Sequence, residues 1–402
     1  MPQVFSSGWL YLFIIVMVIS IVRIWFKLRT IKREAPMDRP VIKVPPVFRQ
    51  EQENPDEPEA DSFLAGPDEL IRHGDYETAL ELLNGLLESF SPTEEREQRG
   101  KVLFRIGACH SRLAAGEEKL QHMLRAGEAL REAVRLFSPP RFRDYYLRAL
   151  DELATLYEDI AREKNPVEYL TQSARACESA AESAGQGGMA VPEAIFLARA
   201  GSAYRQLASH NEAQVNLRRA ADAYEKAAAA LGTVQGESAD SEKIKVSKLL
   251  GDTLVDLSAY FQKGDSLARG VSAYEEALEM MDATLHLRER SVVQMDASKA
   301  LLELYDIERS PAHLRQALRY SRDALNAVKK GEYPILKALG MAVMADGLTR
   351  YAEVRDRSEN LDRAMKFYEA ALGIMKDGEE PEEREKVKKK LAETVQKIGE
   401  IN

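Results

Sequence analysis

The sequence has few of the residues on which disulfide frameworks, metal sites and β-sheets depend. Only two cysteines, Cys109 and Cys177, occur in 402 residues, which disfavours a disulfide framework and a cysteine-based metal site. Runs of Val, Ile and Thr are scarce outside the first fifty residues, whereas Ala, Leu, Glu and Arg dominate, and this composition favours helix. We therefore expect an all-α protein whose cysteines are reduced and packed in amphipathic helices.

Motifs for catalysis and cofactor binding are also missing. The six histidines are scattered without a His-Glu-x-x-His pair, and the glycine run at 185–188 lacks the strand and lysine of a phosphate-binding loop. A net charge of −9 with both signs interspersed weighs against nucleic-acid binding. We expect no catalytic residues, no cofactor, no metal and no nucleic-acid partner, and an enzyme is the least favoured functional class.

One long apolar run is present, at residues 9–26, after a short N-terminal tail of residues 1–8. It is near the lower limit of about 17–25 residues for crossing a bilayer. Aromatic residues stand at both ends, as at membrane interfaces: Trp9, Tyr11 and Trp25. A cleaved signal peptide would have basic residues before the run and a small-residue cleavage motif after it, and neither is present. The pattern therefore predicts an uncleaved, single-pass transmembrane anchor.

The charges around this run are asymmetric. Basic residues lie only at its C-terminal side: Arg23, Lys27, Arg29, Lys32 and Arg33. The positive-inside rule then predicts that the N-terminus is outside and the body of the protein is in the cytoplasm, although the same cluster is also suited to contact anionic lipid headgroups. Residues 27–61, first basic and then acidic and rich in proline, are expected to be a disordered linker.

From residue 62 onward, a pattern of small residues, in several copies with a tyrosine between them, recurs at steps of 47 residues, with a single step of 50. One set comprises Ala126, Ala220, Tyr224, Gly270, Tyr274, Ala317, Ala364, Tyr368 and Ala371. A second set moves with the same steps: Gly107, Ala154, Gly201, Gly251, Ser298 and Ala345. Because the sets move together, pairs of helices repeat, and small residues allow those helices to pack closely. The pattern predicts a solenoid over residues 62–402, with about seven helix pairs and a C-terminal capping helix at 381–401.

These residues resemble the tetratricopeptide-repeat (TPR) family, whose helix-turn-helix units carry a small residue in the first helix and two small residues flanking an aromatic in the second. The closest local match is GDYETALELL at residues 74–83. Each unit is roughly 13 residues longer than the family's usual 34, so we expect a long-helix variant, with a HEAT-like or other α-solenoid as the alternative. The resemblance implies a right-handed α-solenoid whose first helices line a concave groove. Three residues are expected to cap the helices that follow them: Asn165, Asp265 and Ser310.

The predicted first helices carry a basic stripe in repeats two to five. Its members are Lys101, Arg105, Arg112, Arg148, Arg199, Arg205, Lys245 and Lys248. On a concave groove this stripe is a candidate peptide-binding site for acidic segments, and the acidic linker residues 51–61 are a candidate internal occupant. The alternative is a solvated face whose charges pair locally. No repeat combines the Lys and the Asn of the family's chaperone-tail clamp at the matching positions, since Lys248 is present but Asp252 stands where the Asn should be, which disfavours chaperone-tail docking.

Together these features predict a membrane-anchored protein-interaction scaffold or adaptor that recruits protein or peptide partners through a cytoplasmic groove. Two alternatives stay open. One is a permanently bound accessory or regulatory subunit of a membrane enzyme or assembly complex, and the other is an organelle-surface import or docking receptor. The sequence does not distinguish a bacterial inner membrane from an organelle surface.

Overall fold

The computed structural model describes residues 62–401, apart from 116–117, 138, 140, 283–285, 329–332 and 376–379. The tail, the predicted transmembrane anchor and the predicted linker, residues 1–61, lie outside the described residues. Within the described part of the chain, no helix is both long enough and apolar enough to cross a membrane.

The described residues form fifteen α-helices and no β-strands. In chain order they are α1 (Ala65–His73), α2 (Tyr76–Ser89), α3 (Arg96–Leu113), α4 (Lys119–Leu136), α5 (Arg143–Glu163), α6 (Pro166–Gln186), α7 (Ala190–Ala208), α8 (Ala213–Leu231), α9 (Glu237–Ser258), α10 (Lys263–Met280), α11 (Leu287–Glu308), α12 (Pro311–Ala327), α13 (Pro334–Tyr351), α14 (Arg357–Ile374) and α15 (Pro381–Gly399). Helices α1 to α14 make seven pairs, and α15 closes the array. The prediction of an all-α array of helix pairs is confirmed.

The helices stack in the manner of a solenoid. Each helix packs mainly against its neighbours in the chain, both within a pair and between pairs. First helices of successive pairs also contact each other directly, α3 with α5, α7 with α9, α9 with α11 and α11 with α13. The odd-numbered helices therefore form one layer of the array, and the even-numbered helices pack against it.

The two periodic sets of residues meet inside each pair. A Cβ atom added to Gly201 would lie 2.9 Å from the ring of Tyr224, and one added to Gly251 would lie 2.6 Å from the ring of Tyr274. In the sixth pair both positions are serine, and their hydroxyl groups are hydrogen-bonded at 2.8 Å. All fifteen residues of the two sets are buried. The small residues thus allow the first helix to contact a large side chain of the second.

The turn inside five of the pairs has one repeated backbone conformation. Its left-handed residue has a φ of 39° to 53° and is Asn165, Glu212, Gln262, Arg309 or Asp356. The steps between these positions are again 47, 50, 47 and 47 residues. This conformation costs most residue types about 1–2 kcal/mol, so the packing of the two helices holds the turn in place.

These turns also decide where the second helices begin. Asn165 and Ser310 directly precede α6 and α12, but neither side chain makes a capping hydrogen bond. Asp265 is not a cap, because α10 already begins at Lys263, after the left-handed Gln262. A capping side chain does occur at Asp75, which accepts a hydrogen bond from the Thr78 backbone N–H at 3.2 Å.

Candidate protein-binding surfaces

The predicted basic stripe lies in the layer of first helices, and most of its cations are engaged there in ion pairs. Arg199 of α7 is 2% exposed, and its guanidinium donates hydrogen bonds to Asp151 and to the Thr155 hydroxyl of α5, the latter at 2.9 Å. Glu158 lies 3.5 Å from the same guanidinium. Burial raises the pKa of the Glu158 carboxyl. Arg199 therefore connects the third helix pair to the fourth.

A second cluster connects α7 to α9. The Arg205 guanidinium lies 2.8 Å from the Asp256 carboxylate and 3.7 Å from that of Asp252. Asp252 also accepts hydrogen bonds at 2.8 Å from the Lys248 ammonium and from the Tyr274 hydroxyl. A single buried carboxylate thus joins two cations and the tyrosine that packs against Gly251.

The remaining residues of the stripe differ in their partners and in their exposure. Arg105 pairs with a carboxylate of α1 at 2.7 Å, Lys101 with Glu97 at 2.9 Å and Lys245 with Glu242 at 2.5 Å. Arg112 is exposed and Arg148 is half-buried. The structure therefore does not bring the eight cations together on one open surface. At least six of them pair with carboxylates on the same or neighbouring helices. The pairs of Arg105, Arg199 and Arg205 join different helices, and Lys248 shares Asp252 with Arg205.

Sequence reasoning missed another group of cations, which lies in a groove walled by the second helices α12 and α14 and floored by the first helix α13. The cavity measures about 570 Å³. Its cations are Arg315, Arg319, Arg322, Lys337 and Arg363, and its apolar lining includes Leu318, Leu325, Met341, Met344, Leu348 and Phe367. No acidic residue lines it. We call this cavity the basic groove.

The cations of the basic groove differ from those of the first-helix layer in their surroundings. None of the five forms an ion pair with a carboxylate in the part of the chain that the structure describes. Four of them are exposed, and Lys337 is half-buried. The groove floor is recessed, because Met344 and Leu348 are buried while Met341 and Phe367 are half-buried. The groove therefore combines an open positive rim with an apolar floor.

An equivalent groove of opposite charge lies three repeats earlier, between α6, α7 and α8. This acidic groove measures about 530 Å³ and is lined by four carboxylates and two cations: Glu178, Glu182, Glu193, Asp222, Arg219 and Lys226. Glu178 and Glu193 stand at the repeat positions of Arg322 and Lys337. Alignment of exposed charges on the 47-residue period would have revealed this contrast in the sequence.

The described residues place few other reactive groups together. The Nδ1 atoms of His110 and His122 lie 3.0 Å apart between α3 and α4, and burial, with His122 and Arg125 nearby, lowers the pKa of His110 to about 4. Both cysteines are buried and free, and burial raises the pKa of Cys109 to about 11 and that of Cys177 to about 12. Within the described ranges, no group of three His, Cys, Asp or Glu residues is placed to hold a metal ion.

The sequence matches no protein-family model, and no curated protein is significantly similar to it. Among solved structures, the apo form of RapI is 11% identical, with coverage of 78% of this chain and 96% of that chain and a TM-score of 0.35. The P58(IPK) TPR domain is 15% identical, with coverage of 85% and 98% and a TM-score of 0.18. Yeast Tom70 is 12% identical, with coverage of 83% and 95% and a TM-score of 0.13. Because these three TM-scores are below 0.5, the fold assignment rests on the helix pairing described above.

Proposed function

We propose that this chain is a membrane-anchored interaction scaffold, in which a TPR-like, right-handed solenoid recruits protein or peptide partners. The observation that carries the proposal is the pair of equivalent grooves with opposite charge on one array of packed helices. A packed array holds such surfaces at fixed spacing, which suits it to bind partners rather than to transform a substrate.

The membrane part of the proposal is supported by the sequence. The apolar segment 9–26 has the length and the aromatic ends of a transmembrane helix, and only its C-terminal flank is basic. On this basis the N-terminus lies outside and the solenoid lies in the cytoplasm. Residues 27–61 then act as a tether between the bilayer and the first helix pair.

The layer of first helices supplies a second surface, the predicted concave groove. Since Arg199 and Arg205 are engaged in ion pairs between repeats, peptide binding there depends on the more open cations, of which Arg112 is exposed. Occupation of that groove by the acidic residues 51–61 is part of the same proposal. Deletion of residues 51–59 should then increase partner affinity, and an unchanged affinity would contradict self-occupancy.

The alternative of a permanently bound subunit calls for a large continuous apolar surface. The large hydrophobic residues that are exposed in the described part of the chain are instead scattered over several helices and turns: Leu82, Val167, Val215, Tyr260, Met280, Ile307, Tyr333, Val354, Val395 and Ile401. This distribution favours transient recruitment. An import or docking receptor is one form of such recruitment.

Proximity labelling in native membranes tests the proposal. A biotin ligase fused after Asn402 of the full-length chain should label a reproducible set of cytoplasmic proteins, among them membrane proteins. Removal of residues 9–26 should deplete the membrane proteins from that set. Labelling restricted to luminal or periplasmic proteins would overturn both the topology and the function.

A further inference from the structure

The basic groove holds an uncompensated concentration of positive charge. Its five cations surround a cavity of about 570 Å³ that has no acidic residue in its lining. The buried cations of the first-helix layer, in contrast, each have a carboxylate partner, as Arg199 and Arg205 do. Like charges held close together repel one another, and an anionic partner relieves that repulsion. The groove therefore has the electrostatics of a binding surface rather than of a structural contact.

We propose that the basic groove binds an acidic amphipathic helix of a partner protein. The apolar face of that helix lies on the Met-lined floor, and its carboxylates pair with the cations of the rim. This inference rests on the proposed scaffold function and specifies the chemistry of the partner.

The dimensions and lining of the groove agree with a short helix. Arg315 and Asn326 mark the ends of the α12 wall, about 16 Å apart at the helical rise, which matches three turns of a bound helix. The floor presents Met341, Met344 and Leu348 at helical spacing. Methionine adapts its shape to varied apolar side chains, and an amphipathic helix offers such side chains at positions i, i+3 or i+4, and i+7.

A membrane surface fits the same residues less well. Proteins that insert into the bilayer interface present apolar side chains on the outer face of an amphipathic helix. In the basic groove the order is reversed, because the arginines are exposed while Met344 and Leu348 are buried below them. A recessed apolar floor accepts a protruding helix, which a flat lipid surface cannot provide.

The acidic groove provides a built-in comparison. Glu178 and Glu193 occupy the positions of Arg322 and Lys337 in an otherwise equivalent groove. Because the fold accommodates glutamate at these positions, a R322E/K337E variant should fold normally. The matched control is R219E/K226E in the acidic groove, which introduces the same change of charge at two other lining positions.

The test is a selection of peptides on the full-length protein, reconstituted in phosphatidylcholine nanodiscs. A phage library of helical peptides should yield binders with Asp or Glu flanking large apolar residues at i, i+4 and i+7. Fluorescence anisotropy with the synthesised peptides should show at least a tenfold loss of affinity for R322E/K337E and a change below twofold for R219E/K226E. Affinity should also fall as the salt concentration rises.

The proposal would be overturned if no selected peptide lost affinity in R322E/K337E, or if the selected peptides were extended or lacked acidic residues. It would also be overturned if no peptide bound the basic groove and phosphatidylserine vesicles bound the wild type but not R322E/K337E. Circular dichroism melting of both variants verifies that they fold. Proximity labelling with R322E/K337E separates this proposal from the proposed scaffold function. If the variant still labels the same partners, they are recruited through another surface and the scaffold function stands without the basic groove.

Discussion

At the scale of single residues, complementary sizes hold each helix pair together. Gly201 and Gly251 leave room for the rings of Tyr224 and Tyr274. The two tyrosines differ in their hydroxyl groups, because the Tyr274 hydroxyl donates to Asp252 at 2.8 Å whereas that of Tyr224 is buried without a hydrogen-bond partner in the described structure. Ser202 stands where Asp252 stands one repeat later. The change from Ser202 to Asp252 therefore decides whether the buried tyrosine hydroxyl at this position has a hydrogen-bond acceptor.

Substitution of Gly251 by alanine should destabilise the protein. The added Cβ would lie 2.6 Å from the Tyr274 ring, and such overpacking costs about 1–3 kcal/mol. Gly85→Ala is the control, because a Cβ at this exposed position in α2 meets nothing within 4 Å and alanine is favoured there by about 1 kcal/mol. Urea unfolding of both variants measures the difference, and equal effects would contradict the packing account.

Removal of the two tyrosine hydroxyls should have unequal effects. Tyr274→Phe removes a hydrogen bond to a buried carboxylate and should cost about 1.5–3 kcal/mol. Tyr224→Phe removes an unsatisfied hydroxyl and should be neutral or stabilising. Amide hydrogen exchange of α7 to α10 reads out both changes locally. Similar losses of protection in the two variants would show that the hydroxyls are not distinguished as the structure indicates.

At the scale of helices, charge pairs add to apolar packing between neighbouring repeats. Arg199 of α7 bonds to Asp151 of α5 in a buried site. Further along, the Arg350 guanidinium pairs with Asp306 at 2.7 Å and the Lys390 ammonium with Asp346 at 2.6 Å. The first two contacts join first helices of successive pairs, and the third joins the last first helix, α13, to the closing helix α15. All three contribute to the register in which the helices stack.

Arg199→Met should be strongly destabilising because it removes the guanidinium that pairs with the buried Asp151 carboxylate. The expected loss is about 3–5 kcal/mol. The double variant R199M/D151L removes both charges and should lose less than R199M alone. Denaturant unfolding of the single and double variants completes the cycle. If the double variant loses as much as the sum of the single variants, Arg199 and Asp151 are not coupled.

His110, which lies at the contact of α3 with α4, should make the stability of the protein depend on pH. The pKa of His110 is about 4 in the folded protein, below its ordinary value of 6.5. The unfolded chain therefore binds more protons between these values, so stability is present above pH 6.5 and falls as the pH drops towards 4. His110→Gln should reduce this loss, whereas the exposed His210→Gln should not. Thermal melting from pH 7 to 4 measures the effect, and parallel curves for all three proteins would rule it out.

Periodicity made the helix pairs predictable, but not the state of their charges. The steps of 47 and 50 residues predict which side chains pack between the two helices of a pair, because small residues such as Gly107 and Ala345 recur at the same position of each repeat. The spacing says nothing about whether Arg205 faces water or a carboxylate on the next first helix. The turns were equally hidden, because Gln262 and Arg309 are not residue types that signal a left-handed backbone. Ion pairs between repeats and the backbone conformation of the turns inside them were therefore not predicted.

At the scale of the whole array, the described helix pairs pack mainly against their neighbours in the chain, so the stability of the solenoid is close to a sum of local terms. Surface charge is therefore free to vary from repeat to repeat without disturbing the fold. The acidic groove and the basic groove are an example, because equivalent positions carry opposite charges in the two. Under the proposed function, such variation along a regular array is the basis on which different partners are distinguished.

Cross-linking mass spectrometry of the full-length chain in native membranes tests the proposed membrane-anchored scaffold function most directly. The account predicts recurrent cross-links from lysines of the solenoid, including Lys337 in the basic groove, to a small set of other proteins. Those at Lys337 should disappear when an excess of a selected acidic peptide is added. The account would be contradicted if, in intact membranes and with the protein at its normal abundance, the lysines of the solenoid cross-linked only to each other.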